Sequence, residues 1–221
     1  MWAKICANTN LEDAILAAQL GADALGFVFA ESKRKVTAKQ VAQITPHLPE
    51  EIETVGVFHN HRADEIAAIV REAGLDTIQL HSSYDLALIE GIQRLLGSQV
   101  SLIQTVHWII DASADNAASI AKQLEMIRRS GATDRVLIDS RVGQMGGGTG
   151  ISFDWSHAGE IFATHGHGLK IIAAGGLNPG NLAEAIRLMH PAGVDVASGV
   201  EATAGQKDPA KLKAFLQIAK S

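Results

Sequence analysis

Short apolar runs alternate with helical patterns along the chain, and this alternation limits the possible folds more than any other feature. Most of the runs are near-continuous in Val, Ile, Leu and Phe, as expected of strands buried on both faces of a parallel sheet. Eight strands are predicted, at Ala3–Ala7, Ala24–Ala30, Thr54–Asn60, Thr77–His81, Val100–Trp108, Asp134–Ser140, Leu169–Gly175 and Gly193–Gly199.

Helix-start signals stand between the predicted strands. Asn10 precedes an apolar stripe with helical spacing, and Thr37 opens a capping box with the glutamine three residues later. Asn178-Pro179 and Asp208-Pro209 each pair an N-cap residue with proline at the first helical position. Repeated strand–helix units predict a single-domain (β/α)8 TIM barrel over residues 1–221, with a doubly wound open sheet as the alternative.

Two late strands end in glycine, which lets the backbone approach a ligand closely. These are Ile171–Gly176 and Val194–Gly199, and each is expected to be followed by a helix start, at Asn178-Pro179 and at Val200-Glu201. Strands seven and eight of such barrels commonly bind phosphate through backbone N–H groups. We therefore predict that Gly175, Gly176, Ser198 and Gly199 bind a phosphate, with Gly148-Thr149-Gly150 as a third wall.

The composition excludes several classes of protein. With 47% hydrophobic residues, the 221-residue chain can bury a large core. A net charge of −5 with scattered Lys and Arg argues against nucleic-acid binding, and no apolar stretch approaches the roughly 18 residues of a membrane span. The single cysteine, Cys6, fits a reducing compartment, and no signal-peptide pattern is present. We expect a cytoplasmic protein, and a monomer because no exposed apolar stripe is evident.

Polar side chains at the carboxyl ends of the predicted strands are the candidates for chemistry, because catalysis in such barrels takes place there. They are Cys6, Arg34, Asn60, His61, His81, His107, Asp139 and Asp195. Asp139 and Cys6 flank the predicted phosphate site from opposite sides, which suits an acid and a base acting on one sugar phosphate. A lone cysteine near a strand end is most often a small core residue, so spacing alone favours that interpretation of Cys6, and His81 could brace a loop. The remaining histidines lack the spacing of a metal site.

The order of short motifs along the chain resembles one family. The motifs are Lys4–Cys6, Asn10–Ala14, Gly21–Phe29, Ser32–Val36, Val55–Phe58, Ile78–His81, Leu137–Ser140, Gly147–Gly150, Phe153–Trp155, Ala174–Pro179 and Gly193–Glu201. Together they resemble phosphoribosylanthranilate isomerase, a barrel enzyme of tryptophan biosynthesis. The chain departs from the family's usual pattern at Ala7, where glycine is common, and at His107-Trp108.

The resemblance implies an Amadori rearrangement of N-(5-phosphoribosyl)anthranilate to a 1-deoxyribulose 5-phosphate product, with no metal or organic cofactor. It assigns the general base to Cys6, the general acid to Asp139 and the contact with the anthranilate carboxylate to Arg34. Burial can keep an aspartic acid protonated, and a positive neighbour favours a thiolate. His81 and Asp195 are expected to complete the substrate site.

Two other interpretations stay open. A different phosphosugar barrel is the first: a histidine-pathway isomerase would favour aspartate in place of Cys6, and indoleglycerol phosphate synthase needs lysines at strand ends. Lys4 is expected to point away from Cys6 if strand one is regular, which argues against the synthase. The second is a non-catalytic barrel that binds a phosphorylated ligand, which would not need Cys6, Asp139 and Arg34 together.

Overall fold

Eight parallel strands close into a barrel in chain order, so that the first strand pairs with both the second and the last. The computed structural model describes residues 1–109, 116–141 and 154–221. The strands are β1 Trp2–Ile5, β2 Ala24–Val28, β3 Glu53–Phe58, β4 Thr77–Leu80, β5 Ser101–Ile109, β6 Arg135–Arg141, β7 Lys170–Ala173 and β8 Gly193–Val196. The predicted (β/α)8 TIM barrel is confirmed, and the open sheet is excluded by the pairing of β1 with β8.

Helices follow the strands around the outside of the barrel. They are α1 Leu11–Gln19, α2 Ala38–Val41, α3 Ala63–Ala73, α4 Leu86–Leu96, α5 Asn116–Ser130, α6 Trp155–His165, α7 Leu182–Met189 and α8 Pro209–Ala219. Three of the predicted N-termini are confirmed. The Asn10 side chain accepts a hydrogen bond from Asp13 N, Thr37 forms its capping box, and Asp208 caps the helix that begins at Pro209.

Two predicted helix starts are wrong. After β7, the Asn178 side chain accepts from Gly180 N and forms a turn, so the helix begins only at Leu182. After β8, a 3-10 turn at residues 198–200 leads into a hairpin of β9 (Glu201–Thr203) and β10 (Gln206–Lys207). Gly205, at φ 82°, supplies the left-handed residue that this hairpin turn requires, which a helix would not accept.

The hydrophobic core has two layers. Inside the barrel, small and branched side chains fill the space, among them Ala24, Val55, Ile103 and Leu137. A larger cluster packs the outward faces of the strands against the helices. Each strand is therefore buried on both faces, which explains the near-continuous apolar runs in the sequence. In the part of the chain that the structure describes, no helix is both long and apolar enough to cross a bilayer.

Candidate active site

A cavity of about 390 Å³ opens at the carboxyl ends of the strands and collects most of the predicted site residues. The predicted residues that line it are Cys6, Arg34, His81, Asp139, Gly175, Gly176, Asp195 and Ser198. Gly199 follows Ser198 and lies outside the lining, and Gly148, Thr149 and Gly150 lie outside the described residues. The barrel thus brings side chains from distant parts of the chain to one concave surface, where ligands of such barrels bind.

Cys6 follows β1 and lies buried at the floor of this cavity. Its backbone N–H donates to Val196 O at 2.8 Å, which fixes the residue against β8. Burial raises the pKa of the Cys6 thiol; the Asp195 carboxylate raises it further, whereas the ammonium groups of Lys4 and Lys207 oppose the shift. Because the net pKa lies above the ordinary value, the thiol is protonated at neutral pH when no ligand is present.

Lys4 lies beside Cys6, so the expectation that it points away is wrong. Residues two apart on a strand face the same side of the sheet, and both side chains therefore enter the barrel. The Lys4 side chain is fully buried, and its Nζ donates to Asp195 Oδ1 at 2.7 Å. Burial lowers the pKa of Lys4, but the pair with Asp195 and the Cys6 thiol more than compensate, so the ammonium stays charged.

Gly26 on β2 provides the space for this arrangement, and sequence reasoning did not identify it. A Cβ at this position would lie 2.7 Å from Cys6 Sγ and 3.0 Å from Lys4 Cε. Any other residue would displace one of the two side chains. A glycine inside an otherwise apolar strand is the signal that could have found it, since such glycines mark close approaches.

Asp139 lies on the opposite wall, at the end of β6, and is nearly buried. Its Oδ2 is 3.8 Å from Nε2 of His81, and the His81 ring packs edge-on against His107 with 4.7 Å between centroids. The backbone oxygen of His81 is 3.1 Å from His59 Nδ1 and 3.3 Å from His107 Nε2. Two rings therefore anchor the strand end that carries His81 beside the proposed acid.

Among the described residues, the side chains of His81, His107 and Asp139 form the group best able to hold a metal ion. Their candidate ligand atoms all lie within 4.8 Å of one another. Tetrahedral coordination with bonds of 2.0–2.1 Å needs ligand atoms about 3.3 Å apart, whereas the His81–Asp139 distance alone is 3.8 Å. His81 and Asp139 are therefore farther apart in this structure than two ligands of such a site.

Arg34 is held by a carboxylate that sequence reasoning did not assign to the site. Its Nε and Nη2 donate to both oxygens of Glu201, at 2.6–3.0 Å, and three of its five N–H groups are not used by this pair. The hydrogen bonds with Glu201 raise the pKa of Arg34. Lys207 was also missed: its Nζ is 3.6 Å from Glu201 Oε1 and donates to Cys6 O at 2.5 Å. Burial lowers the pKa of Lys207.

The loops after β7 and β8 pack backbone against backbone, as the glycine-ended strands predicted. Gly175 and Gly176 have φ values of 79° and 70°, in the left-handed region that favours glycine. A Cβ at Gly175 would lie 2.4 Å from Ser140 N, and one at Gly199 would lie 1.9 Å from Leu177 O. The predicted convergence of the two strand ends is therefore confirmed, and their phosphate binding stays a prediction.

Ala7, directly after the predicted base, has φ 62°. For a residue with a Cβ this left-handed conformation costs about 1 kcal/mol or more. The strain lies at the position where the resemblance led us to expect glycine.

Comparison with known proteins agrees with this geometry over the whole chain. A family model described as N-(5'phosphoribosyl)anthranilate (PRA) isomerase matches residues 3–218. The N-(5'-phosphoribosyl)anthranilate isomerase of Pelobacter propionicus is 40% identical over 218 residues, 98% of this chain and 94% of that protein. The enzyme of Bacillus cereus strain B4264 is 39% identical over 220 residues, 100% of this chain and 98% of that one.

A solved structure has the same architecture. The crystal structure of phosphoribosyl anthranilate isomerase from Thermotoga maritima superposes with a TM-score of 0.82 at 32% identity, covering 100% of this chain and 98% of that one. A structure of the isomerase in complex with reduced 1-(o-carboxyphenylamino)-1-deoxyribulose 5-phosphate gives a TM-score of 0.80 at 31% identity, with 100% and 98% covered. Together with the fold and the cavity, these matches show that the chain belongs to the N-(5'-phosphoribosyl)anthranilate isomerase family.

Proposed function

We propose that this chain catalyses the Amadori rearrangement of N-(5-phosphoribosyl)anthranilate in tryptophan biosynthesis, with Asp139 as general acid and Cys6 as general base. The observation that carries the residue assignment is that both groups line one cavity with Arg34 and the glycine-ended loops. A phosphoribosyl anthranilate needs those four features: a phosphate site, an acid, a base and a cation for the anthranilate carboxylate.

The first step opens the ribose ring. Asp139 gives its proton to the ring oxygen, the C1–O bond breaks, and the anthranilate nitrogen lone pair forms the C1=N iminium bond. A carboxyl group can donate in this way only while it is protonated, and burial favours the protonated form. Asp139 is 7% exposed, which fits that requirement. The neighbouring His81 is well placed to hold the carboxyl group in orientation.

The second step removes the proton from C2. When the iminium forms, the Cys6 thiol releases its proton to water, and the resulting thiolate takes the proton from C2. The C2–H electron pair forms a C1=C2 bond, and the iminium nitrogen becomes neutral. The resulting enolamine then tautomerises to the ketone, so that the whole reaction is an isomerisation. The iminium is positive beside Cys6, and it favours the thiolate at the moment when the base is needed. Lys4 and Lys207 add positive charge on the protein side.

The remaining contacts orient the substrate. Arg34 directs its unused N–H groups to the anthranilate carboxylate, a geometry that suits bidentate binding. The backbone of Gly175, Gly176, Ser198 and Gly199 binds the phosphate, and Gly148, Thr149 and Gly150 are proposed as its third wall. Asp195 contributes to the floor of the site.

Complementation tests the reaction. The gene should rescue a tryptophan auxotroph that lacks this isomerase and should not rescue a histidine auxotroph that lacks the analogous histidine-pathway enzyme. Rescue of the second strain alone would identify a different phosphosugar isomerase, and rescue of neither would favour a non-catalytic phospholigand-binding barrel.

A substitution tests the roles. Asp139→Asn should bind the reduced product analogue nearly as tightly as the unmodified protein but lose about 10³-fold or more in kcat, because the amide cannot donate a carboxylic proton. Unchanged turnover would refute the assignment. Exposed Asp64→Asn, on α3, serves as the matched control and should keep full activity.

We further propose a cytoplasmic location and a monomer. A single buried thiol suits a reducing compartment. Size-exclusion chromatography with light scattering tests the oligomeric state, and a mass twice that of the chain would contradict the monomer.

A further inference from the structure

A buried ion pair of Lys4 and Asp195 lies below the proposed base, and the mechanism described so far uses only the positive charge of its lysine. The Lys4 side chain is 0% exposed and that of Asp195 is 11% exposed, with 2.7 Å between Nζ and Oδ1. Removing two charges from water is costly, and well-packed apolar residues often replace such pairs without loss of stability. Stability alone therefore does not account for a lysine and an aspartate in the centre of this barrel.

The pair lies directly against the Cys6 thiol. Lys4 on β1 and Cys6, directly after it, both face the inside of the barrel, and Lys4 Cε and Cys6 Sγ border the small space left by Gly26. The ammonium interacts with the thiol as well as with Asp195, and Asp195 lines the same cavity as Cys6. The thiol thus faces one positive and one negative group whose effects on its ionisation are opposite in sign.

Other charged groups surround the residue from the remaining elements. Lys207, on β10, donates to the Cys6 carbonyl oxygen, and Arg34, after β2, lies close enough for its charge to interact with the thiol. Glu201 is the shared counter-ion of these two cations, through a bidentate pair with Arg34 and a 3.6 Å approach to Lys207. Lys4 differs from them because its counter-ion is Asp195, a carboxylate that itself raises the pKa of the Cys6 thiol.

We propose that Lys4 and Asp195 are positioning residues that set the ionisation of Cys6: Lys4 stabilises the thiolate, and Asp195 limits this effect so that the thiol stays protonated until the substrate iminium forms. This role rests on the proposed function, in which Cys6 is the base. The pair balances two needs. A thiol that is protonated at rest resists oxidation and alkylation, whereas a base must ionise once a positive charge appears beside it.

The single cysteine makes a direct test possible, because every alkylated thiol in this protein is Cys6. The rate of reaction with iodoacetamide, followed by intact-protein mass spectrometry from pH 6 to pH 11, gives the midpoint for thiolate formation in the folded, ligand-free protein. Lys4→Met should raise this midpoint by about one pH unit or more, and Asp195→Asn should lower it by a comparable amount. The double variant removes both charges and should return the midpoint towards that of the unmodified protein.

Opposite signs distinguish the proposal from a purely structural role. Loosened packing would expose the thiol in both single variants and shift both midpoints in the same direction. An unchanged or raised midpoint in Asp195→Asn overturns the proposal, including in the case where Lys4→Met does not fold. Lys213→Met, on the exposed face of α8, is the matched lysine control and should leave the midpoint unchanged.

The alkylation result does not depend on turnover. If the alkylation midpoints shift in opposite directions but the protein shows no isomerase activity, only the proposed function is overturned. Normal isomerase activity with no shifts would overturn the role of the pair alone. In an active enzyme, the acidic limb of kcat/KM against pH should move in the same direction as the alkylation midpoint of each variant.

Discussion

Glu201 accepts hydrogen bonds from Arg34, the proposed carboxylate-binding residue, and its replacement gives the sharpest test of the site. Glu201→Gln keeps the shape of the side chain but removes its charge and one of the two acceptor oxygens. Burial alone would raise the pKa of Glu201, but the hydrogen bonds from Arg34 and the charge of Lys207 bring it below its ordinary value. The residue is therefore a carboxylate at neutral pH, and the substitution changes the site throughout the working range.

The size of the effect follows from the contacts. Arg34 donates to Glu201 at 2.6, 2.8 and 3.0 Å, and the Glu201 side chain is only 4% exposed. A hydrogen bond to a charged group contributes about 1.5–3 kcal/mol, but glutamine retains one acceptor and the Arg34 side chain is 22% exposed, so water compensates in part. We expect a loss of about 1.5–2 kcal/mol, which corresponds to a fall of about 10–30-fold in kcat/KM.

In steady-state kinetics, the fall in kcat/KM should appear as a rise in KM. The anthranilate carboxylate is bound in both the ground state and the transition state, so weaker positioning of Arg34 leaves kcat within about threefold. A double-mutant cycle with Arg34→Ala completes the assay. If Glu201 acts through Arg34, adding Glu201→Gln to Arg34→Ala should cost less than about threefold. Full additivity, or a loss confined to kcat, would refute the reasoning.

Three further predictions concern backbone and charge. Ala7→Gly should raise the free energy of unfolding by up to about 1 kcal/mol in urea denaturation, because it relieves the left-handed strain, and a clear decrease would contradict this. Gly199→Ala places a Cβ 1.9 Å from a carbonyl oxygen, so it should cost about 1–3 kcal/mol and raise KM; a normal KM would argue against phosphate binding by this loop. Burial would raise the pKa of Glu53, but its hydrogen bonds and the charge of Arg135 lower it, so this pair stabilises the fold at neutral pH and loses its effect as the carboxylate is protonated. The stability deficit of Arg135→Met should therefore be largest near pH 7 and shrink below about pH 4, and a deficit independent of pH would exclude the ion pair as its cause.

The barrel and its ligand-binding end were predictable because they depend on local patterns. Buried strands, capping residues and glycine at strand ends each leave a signal within a few residues, and Asn10, Thr37 and Asp208 cap helices as expected. The wrong helix start at Val200-Glu201 has the same origin. A local pattern suggested a helix, but the glycine turn at residue 205 and the long-range pair of Glu201 with Arg34 favour a hairpin.

The charged network could not be predicted because its partners are far apart in the chain. Lys4 and Asp195 are 191 residues apart, and Arg34 and Glu201 are 167 residues apart. No local pattern pairs such residues until the barrel has closed. Lys207, whose ammonium reaches the Cys6 carbonyl from 201 residues away, lies on a hairpin that the sequence did not predict at all.

The same closure explains how the site can act as one unit. β1 and β8 are neighbours only in the closed barrel, and the base lies on the seam between them. On one side of Cys6 the pair of Lys4 and Asp195 acts on the thiol; on the other, Lys207 connects the Cys6 backbone to Glu201 and so to Arg34.

Binding of an anthranilate carboxylate to Arg34 would add negative charge at one end of this network. The substrate itself would then change the electrostatic balance that Cys6 experiences, and the iminium would supply the compensating positive charge only after ring opening. This order of events predicts that a carboxylate-bearing ligand without an iminium, such as the reduced product analogue, raises the alkylation midpoint of Cys6 rather than lowering it.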